Sequence, residues 1–338
     1  MTAAGGEGTG PEPGAARLPD ATRVLVLTCG KAGHEMVCMG VAQAMGGTIA
    51  TAAVQPRRFF AALAPWGPAD PRDPVLRPPF PDIAIASGRA TAPYLRALKR
   101  ASGGRVFTVY LQDPRAWRGA FDVVWAPEHD GISGPNVLRT LTSPHTLTPA
   151  ALAAARAEPD PRVAATQGPR LAMVLGGPSK AYRYKDRDIV ALERIARAAA
   201  EDGHSVLVTP SRRTPPELIA EVEKALADLP AERRFVWDGS GANPYVAMIA
   251  NADAILVTAD SVNMLGEAAA TGAPVHLYEP TGGSPKITRF LEGMFAHGAA
   301  RRWRGAVESW RYQPLDATGY IASRVLERWR ASAAAQTR

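Results

Sequence analysis

Cysteine is nearly absent. The 338-residue chain has two, Cys29 and Cys38, and their spacing offers neither a zinc pattern nor a disulfide framework. That usage suits a reducing cytoplasm. Also missing is any uncharged apolar run near the roughly 20 residues that cross a bilayer, so any contact with an inner membrane would be peripheral. The opening MTAAGGEGTGPEPGAARLPDAT lacks the apolar core of a signal peptide, and its Gly, Ala and Pro predict a disordered leader over 1–21. Acidic residues fall short of basic ones, 32 against 39, and the net charge of +7 favours anionic partners: phosphates, anionic lipid or nucleic acid. Aromatics are sparse and do not interleave with a basic stripe as a single-strand platform requires. The excess is mostly arginine in a chain rich in Ala, Gly and Pro, which a biased codon supply explains better than nucleic-acid binding, so no nucleic-acid partner is expected. No GxGxxG, no Gly-Lys-Ser/Thr closure and no HExxH occurs. Glu128, His129 and Asp130 are consecutive and cannot all face one ion, so no metal is expected.

What is present is an alternation of β-branched runs with Ala/Leu/Arg-rich helical runs, the pattern of α/β layers around mainly parallel sheets. The length suits two domains of about 150 residues each. The first half predicts strands at 24–28, 48–54, 82–86, 105–111 and 121–125, with helices at 33–45, 57–63 and 91–100. The second predicts strands at 170–175, 205–209 and 233–237, with helices at 186–201, 215–227 and 244–251. A Pro-punctuated linker, 151–168, separates them. The expected architecture is two Rossmann-like domains, 22–150 and 169–312, facing a cleft, with a C-terminal helical segment, 313–338, crossing back to the first.

The most informative stretch is 253–280, DAILVTADSVNMLGEAAATGAPVHLYEP. A strand runs into Asp260 and Ser261, a helix opens, and Thr271-Gly272-Ala273-Pro274 returns the chain to a second strand. The amides and positive end of that helix, with Asp260, Ser261 and Asn263, suit a phosphate, and Glu267 lies about one and a half turns in, within reach of a ribose hydroxyl. The alternative is that Asp260 and Ser261 only cap and Glu267 is only solvated. In VLGGPSKAYRY, Gly176, Gly177, Ser179 and Lys180 follow a strand directly and offer amides, a hydroxyl and an ammonium to a diphosphate. In PSRRTPPE, Ser211, Arg212 and Arg213 precede a helix with Pro215 in its first turn, and the alternative for such a loop alone is that its arginines are only solvated. Three such turns at strand carboxyl ends in one half predict a nucleotide or sugar-phosphate site.

In the first half, TCGKAGHE carries Gly30 and Gly33 for a tight turn, and puts the Lys31 cation and the His34 imidazole at a helix start. His34 either bonds a backbone carbonyl or faces the cleft, where it contacts or deprotonates an acceptor. LQDPR brings Gln112, Asp113 and Arg115 to a strand end, where Arg115 either forks onto a phosphate or carboxylate of a ligand or pairs with Asp113 within the loop.

Together GKAGHE, LQDPR, APEHDGISGPNV, LGGPSKAYRY, TPSRRTP and ADSVNMLGEAAATGAPVHLYE resemble the mitochondrial fission protein family over roughly residues 22–310. The family is named from a plant factor that affects mitochondrial shape, has many bacterial members, and is similar to two-Rossmann-domain (GT-B type) glycosyltransferases. The plant member's recruitment of a dynamin-like protein does not carry over to a chain of bacterial-looking composition. A second resemblance is to the lipid-linked N-acetylglucosaminyltransferase of peptidoglycan synthesis. It sets that enzyme's GGxGGH loop beside Gly30, Gly33 and His34, its nucleotide-facing GGS loop beside Gly176, Gly177 and Ser179, and its ribose-binding Glu beside Glu267. Two departures stand out. Pro178 removes one amide donor, and the paired-glutamine donor-sugar motif is replaced by TGGSPKITRF, with Lys286 and Arg289.

The resemblance implies a metal-independent, glycosyltransferase-like protein that requires no cofactor. It would take a nucleotide-activated sugar in the second domain and a saccharide or lipid-linked acceptor in the first. A base at His34 or Asp113 would deprotonate the acceptor hydroxyl, while Lys180, Arg212 and helix amides stabilise the leaving diphosphate. The alternative class is a non-catalytic adaptor that keeps the fold and sets its basic surface on a membrane or protein partner.

Overall fold

Strands buried on both faces need near-continuous apolar runs and helices over each side, and the chain supplies two such sets. The computed structural model describes residues 17–336 and divides into two units. One ends at 148 and resumes at 316; the other spans 149–315.

Unit 1 contains β1 (Leu18–Thr28), α1 (Ala32–Met45), β2 (Gly46–Ala53), α2 (Arg58–Leu63), β3 (Ile83–Ala86), α3 (Ala92–Ala101), β4 (Phe107–Leu111), β5 (Val123–Pro127) and β6 (Val137–Thr140). All strand pairings are parallel, in the order β2-β1-β3-β4-β5-β6. Alternation sorts the side chains between the two faces. Val24, Val26, Ile83, Ile85 and Val109 pack with Cys38, Val41 and Met45 of α1, while Leu27, Ala84, Ala86 and Tyr110 pack with Tyr94, Leu95 and Leu98 of α3. Because β1 leads to β2 on one side and β3 adds on the other, the order reverses between β1 and β3. A crevice opens at such a point beyond the strands' carboxyl ends.

Unit 2 contains α4 (Pro149–Ala157), α5 (Pro161–Ala164), β7 (Arg170–Leu175), β8 (Tyr182–Arg183), α6 (Asp186–Glu201), β9 (Ser205–Pro210), α7 (Pro216–Ala225), β10 (Arg234–Val236), α8 (Tyr245–Ala250), β11 (Ala254–Thr258), α9 (Val262–Ala270), β12 (Val275–Tyr278), β13 (Thr281–Gly282), α10 (Pro285–His297) and β14 (Ala300–Arg302). Its parallel sheet runs β10-β9-β7-β11-β12-β14, and β8 and β13 form a separate antiparallel pair. Here the order reverses between β7 and β11. The last helix, α11 (Ala317–Gln336), belongs to unit 1, where Ala317, Ile321, Val325 and Leu326 join the core beneath α1.

Two expectations change. Residues 1–16 of the expected leader lie outside the described residues, and its end is strand: Leu18 is buried in β1 and paired with Gly46. The expected linker contains α4 and α5, which belong to unit 2. Arg156 fastens α4 by donating to the carbonyls of Ala250 and Thr271 at 2.9 and 2.7 Å, and Val163 of α5 packs against Leu207 and Met248. Among the described residues no helix is long and apolar enough to cross a membrane.

Candidate functional site

At the reversal in unit 2, β7 and β11 end in groups that bind one another. Thr258 Oγ1 accepts from the Gly176 amide at 2.7 Å and donates to Asp260 Oδ1 at 2.8 Å. Tyr184 Oη donates to the same oxygen at 2.8 Å. Asp260 Oδ2 accepts from the Gly177 amide and from Arg213 Nη2, each at 3.0 Å. The Asp260 side chain has 0% exposure, and four donors satisfy the charge that burial strips of water. Arg213 Nη1 also donates to the carbonyls of Gly177 and Pro178 at 3.0 and 2.8 Å. Thr214 Oγ1 accepts from the Ser211 amide at 2.8 Å and shares its proton between the carbonyls of Leu175 and Gly176. Burial and the Asp260 charge drive the Tyr184 hydroxyl far above its ordinary pKa, so it stays a donor.

These contacts explain the two glycines. A Cβ on Gly176 would lie 2.1 Å from Asp260 Oδ1, and one on Gly177 would lie 1.9 Å from the Arg213 carbonyl oxygen. The amides of Gly176 and Gly177, expected to face a diphosphate, are engaged by Thr258 and Asp260. Ser179 Oγ closes its own turn by accepting from the amides of Ala181 and Tyr182 at 3.2 and 3.1 Å. Lys180, Arg212 and Asn263 are exposed. Ser261 caps α9, accepting from the Met264 amide at 3.4 Å. Glu267 is half-buried rather than freely solvated, and its Oε2 accepts from Tyr245 Oη at 2.6 Å. Burial raises its carboxyl above the usual range, with the tyrosine hydrogen bond opposing.

Unit 1 repeats the device between β1 and β3. The loop after β1 carries Gly30 at φ +77°, then Lys31 at the N-cap of α1 and an exposed Gly33. The loop after β3 carries Ser87 and Gly88, and His34 Nδ1 lies 2.9 Å from Ser87 Oγ. This His34 contact is to a side-chain hydroxyl rather than to a backbone carbonyl. Gly88 sits at φ +95°, and a Cβ there would stand 3.1 Å from Cys29 Sγ and 3.4 Å from His34 Cδ2. Burial, then the Lys31 charge, lower the His34 pKa.

After β4, Asp113 takes both Arg118 Nε and Nη2 at 3.0 Å, and Arg115 supplies its backbone amide at 3.0 Å. The ion pair in this loop is therefore Asp113–Arg118 and not Asp113–Arg115. Burial acts to raise the Asp113 carboxyl, but the bonds from Arg118 and Arg115 prevail and hold it below the usual range, which makes it a weak base. Gln112, Arg115 and Trp117 take φ of +152°, +57° and +53°, a run of backbone strain in which Gln112 and Arg115 are exposed. Among the described residues no group of three or more His, Cys, Asp or Glu is placed to hold a metal ion.

Ser87, Thr258, Tyr184 and Tyr245 escape the sequence reading, and Arg213, read there only as part of a basic loop, is the arginine that reaches Asp260. Ser87-Gly88 carried a usable signal, since it follows the apolar IAIA of β3 as Gly176-Gly177 follows β7.

The UDP-GlcNAc 2-epimerase from Methanocaldococcus jannaschii shares the fold with a TM-score of 0.50 at 12% identity, covering 90% of this chain and 99% of that one. The mitochondrial fission protein ELM1 of Arabidopsis thaliana is 30% identical over 272 residues, covering 72% of this chain and 63% of the plant protein. An uncharacterized protein of Rickettsia prowazekii is 28% identical over 160 residues, covering 45% of this chain and 44% of its own length. The chain thus spans less than two thirds of the length of either of these relatives. The family described as Mitochondrial fission ELM1 matches residues 32–329, and the chain belongs to that family.

Proposed function

We propose that unit 2 binds the diphosphate of a nucleotide-activated sugar where its sheet order reverses, and that the protein transfers the sugar to a saccharide or lipid-linked acceptor held by unit 1. The observation that carries this reading is the union of three hydroxyl-bearing loops, after β7, β9 and β11, through Asp260 and Arg213, with Lys180 and Arg212 left exposed. Asp260 braces the loops. Lys180, Arg212 and the start of α9 with Ser261 and Asn263 meet the diphosphate, and Glu267, steadied by Tyr245, accepts from a ribose hydroxyl.

In the transfer His34 removes the acceptor hydroxyl proton. The freed oxygen bonds to the anomeric carbon, and the bond from that carbon to the diphosphate breaks with its electron pair leaving on the diphosphate. The lowered pKa keeps His34 neutral near pH 7, and the tautomer that donates from Nδ1 to Ser87 leaves Nε2 to take the proton. Gly30, Lys31 and Gly33 shape the acceptor turn. Asp113 positions the strained loop of Gln112 and Arg115 instead of serving as the base. Lys180 and Arg212 supply the counter-charge, so the reaction is written without a metal.

A non-catalytic adaptor is favoured by one observation: Pro178 has no amide hydrogen, and the amides of Gly176 and Gly177 are already engaged, which thins the donors of the first loop. Thermal-shift titration with uridine diphosphate and other nucleoside diphosphates separates the two. Saturable stabilisation that weakens in Lys180→Ala and Arg212→Ala supports the enzyme reading. No stabilisation by any common nucleotide sinks it. His34→Ala should then abolish transfer while sparing nucleotide affinity.

A further inference from the structure

The apolar face of α2 points the wrong way for a core helix. Phe59, Leu63 and Trp66 recur at the spacing that normally covers a core, yet no residue of α2 is buried. Phe59 is 68% exposed and Trp66 61%. Trp66 continues into a groove of about 580 Å³ that it shares with Pro71, Leu76, Arg96, Arg100 and Trp117, itself 63% exposed.

The charge around this face is positive. Residues 57–100 hold eight Lys or Arg against three Asp. Arg57 is paired with Asp70 and Lys99 with Asp122, each at 2.6 Å. Arg89 instead donates to the carbonyls of Ala61 and Ala62 at 3.2 and 2.9 Å. Arg96 donates to those of Pro65, Trp66 and Gly67 at 2.7, 3.2 and 2.6 Å. These guanidiniums brace the end of α2 and the turn after it while keeping their net charge at the surface. Arg58 and Arg100 are exposed nearby.

We propose that this face of unit 1 docks on an anionic lipid surface, with Phe59, Leu63 and Trp66 entering the headgroup boundary and Arg58, Arg89 and Arg100 meeting lipid phosphates. Tryptophan settles at the boundary between water and hydrocarbon, a helix with an exposed apolar stripe lies in that plane, and basic side chains add attraction to anionic headgroups. An apolar stripe ringed by arginines matches a surface that is anionic above and apolar beneath. A lipid leaflet has that layering and a folded acidic protein does not. The docking residues belong to unit 1 and the proposed nucleotide loops to unit 2, so the two properties can fail separately.

Sedimentation of the purified full chain with phosphatidylcholine vesicles, with and without phosphatidylglycerol, tests the docking. Binding is expected only to the phosphatidylglycerol vesicles and should fall with added salt. The Phe59→Ser/Trp66→Ser pair should weaken binding roughly tenfold, and Arg58→Glu/Arg100→Glu by at least as much. All four side chains are exposed, so the melting temperature should stay near that of the wild type. No binding to phosphatidylglycerol vesicles, or binding unmoved by the Phe59/Trp66 pair, overturns the inference. Self-association of the wild type that the same pair abolishes, without vesicle binding, overturns it in favour of a second copy of the chain.

Discussion

Replacing Asp260 with alanine should destabilise the protein by about 3–5 kcal/mol, and replacing it with asparagine by only about 1–2 kcal/mol. The difference follows from its four donors. Alanine strands the Gly177 amide, which has no freedom to turn elsewhere, and a buried donor left without an acceptor costs about 1–3 kcal/mol. Tyr184 and Thr258 lose their acceptor too, although their hydroxyls can rotate. Arg213 adds least, because its side chain is 44% exposed and water screens it. Asparagine can keep its carbonyl toward Gly177 and Arg213 and turn its amide toward the two hydroxyls, which accept as readily as they donate. Urea unfolding at neutral pH reads both variants, with an unchanged denaturant slope as the control for comparable unfolding. A double-mutant cycle with Tyr184→Phe should show coupling of about 1 kcal/mol or more with Asp260→Ala. An alanine variant no less stable than the asparagine one, or strict additivity with Tyr184→Phe, would refute the buried network.

Glu267→Gln should match or exceed the wild type in melting temperature at pH 7 while weakening nucleoside affinity. Burial has raised this carboxyl, so its favourable contribution is complete below the usual carboxyl pKa and is lost as pH rises through the raised value; a clear drop in melting temperature at pH 7 would contradict the sign. His145 is buried, and that burial, with Asp316 opposing, lowers it from 6.5 to about 4. The folded state therefore keeps a neutral imidazole that the unfolded chain protonates, and about 3 kcal/mol of stability present above pH 6.5 should be lost as pH falls to about 4. Denaturant unfolding across that range should show a shallower loss in His145→Gln, and an unchanged slope would remove His145 as the cause. Gly40→Ala would set a Cβ 2.5 Å from the His145 carbonyl oxygen and should cost about 1–3 kcal/mol despite alanine's better helix propensity; a rise in melting temperature would show that α1 can move away.

How much of this was legible depended on distance along the chain. β3, β4, β7 and β11 are almost entirely buried runs such as IAIA and AILVT, so periodicity and flanking turn residues located them and the loops at their ends. β6 and β14 were missed because they are short and only partly buried. α10 has a readable start in Ser284, whose side chain accepts from the Ile287 amide, and Pro285 in the first turn. Within the loops, sequence selected Arg212 where the structure turns Arg213 inward. Adjacent arginines are alike in composition, and only the backbone path after β9 decides which one reaches Asp260, 47 positions away. Tyr245 and Glu267 meet across 22 positions, and His34 and Ser87 across 53. Local spacing cannot reveal partners that the strand order brings together.

That strand order also predicts which changes separate stability from chemistry. Each unit ties the loop after its first central strand to the loop across its reversal, but with different groups. Unit 2 uses a fully buried carboxylate with four donors, so disturbing it must destabilise the fold. Unit 1 uses a half-buried imidazole facing one serine hydroxyl at 2.9 Å, and losing that contact should cost only about 1 kcal/mol. If His34 is the base, Ser87→Ala leaves its ring free to take either tautomer and should lower the transfer rate and shift its pH profile while the melting temperature stays nearly constant. A pH profile identical to that of the wild type would show that the Ser87 contact only holds the loop in place.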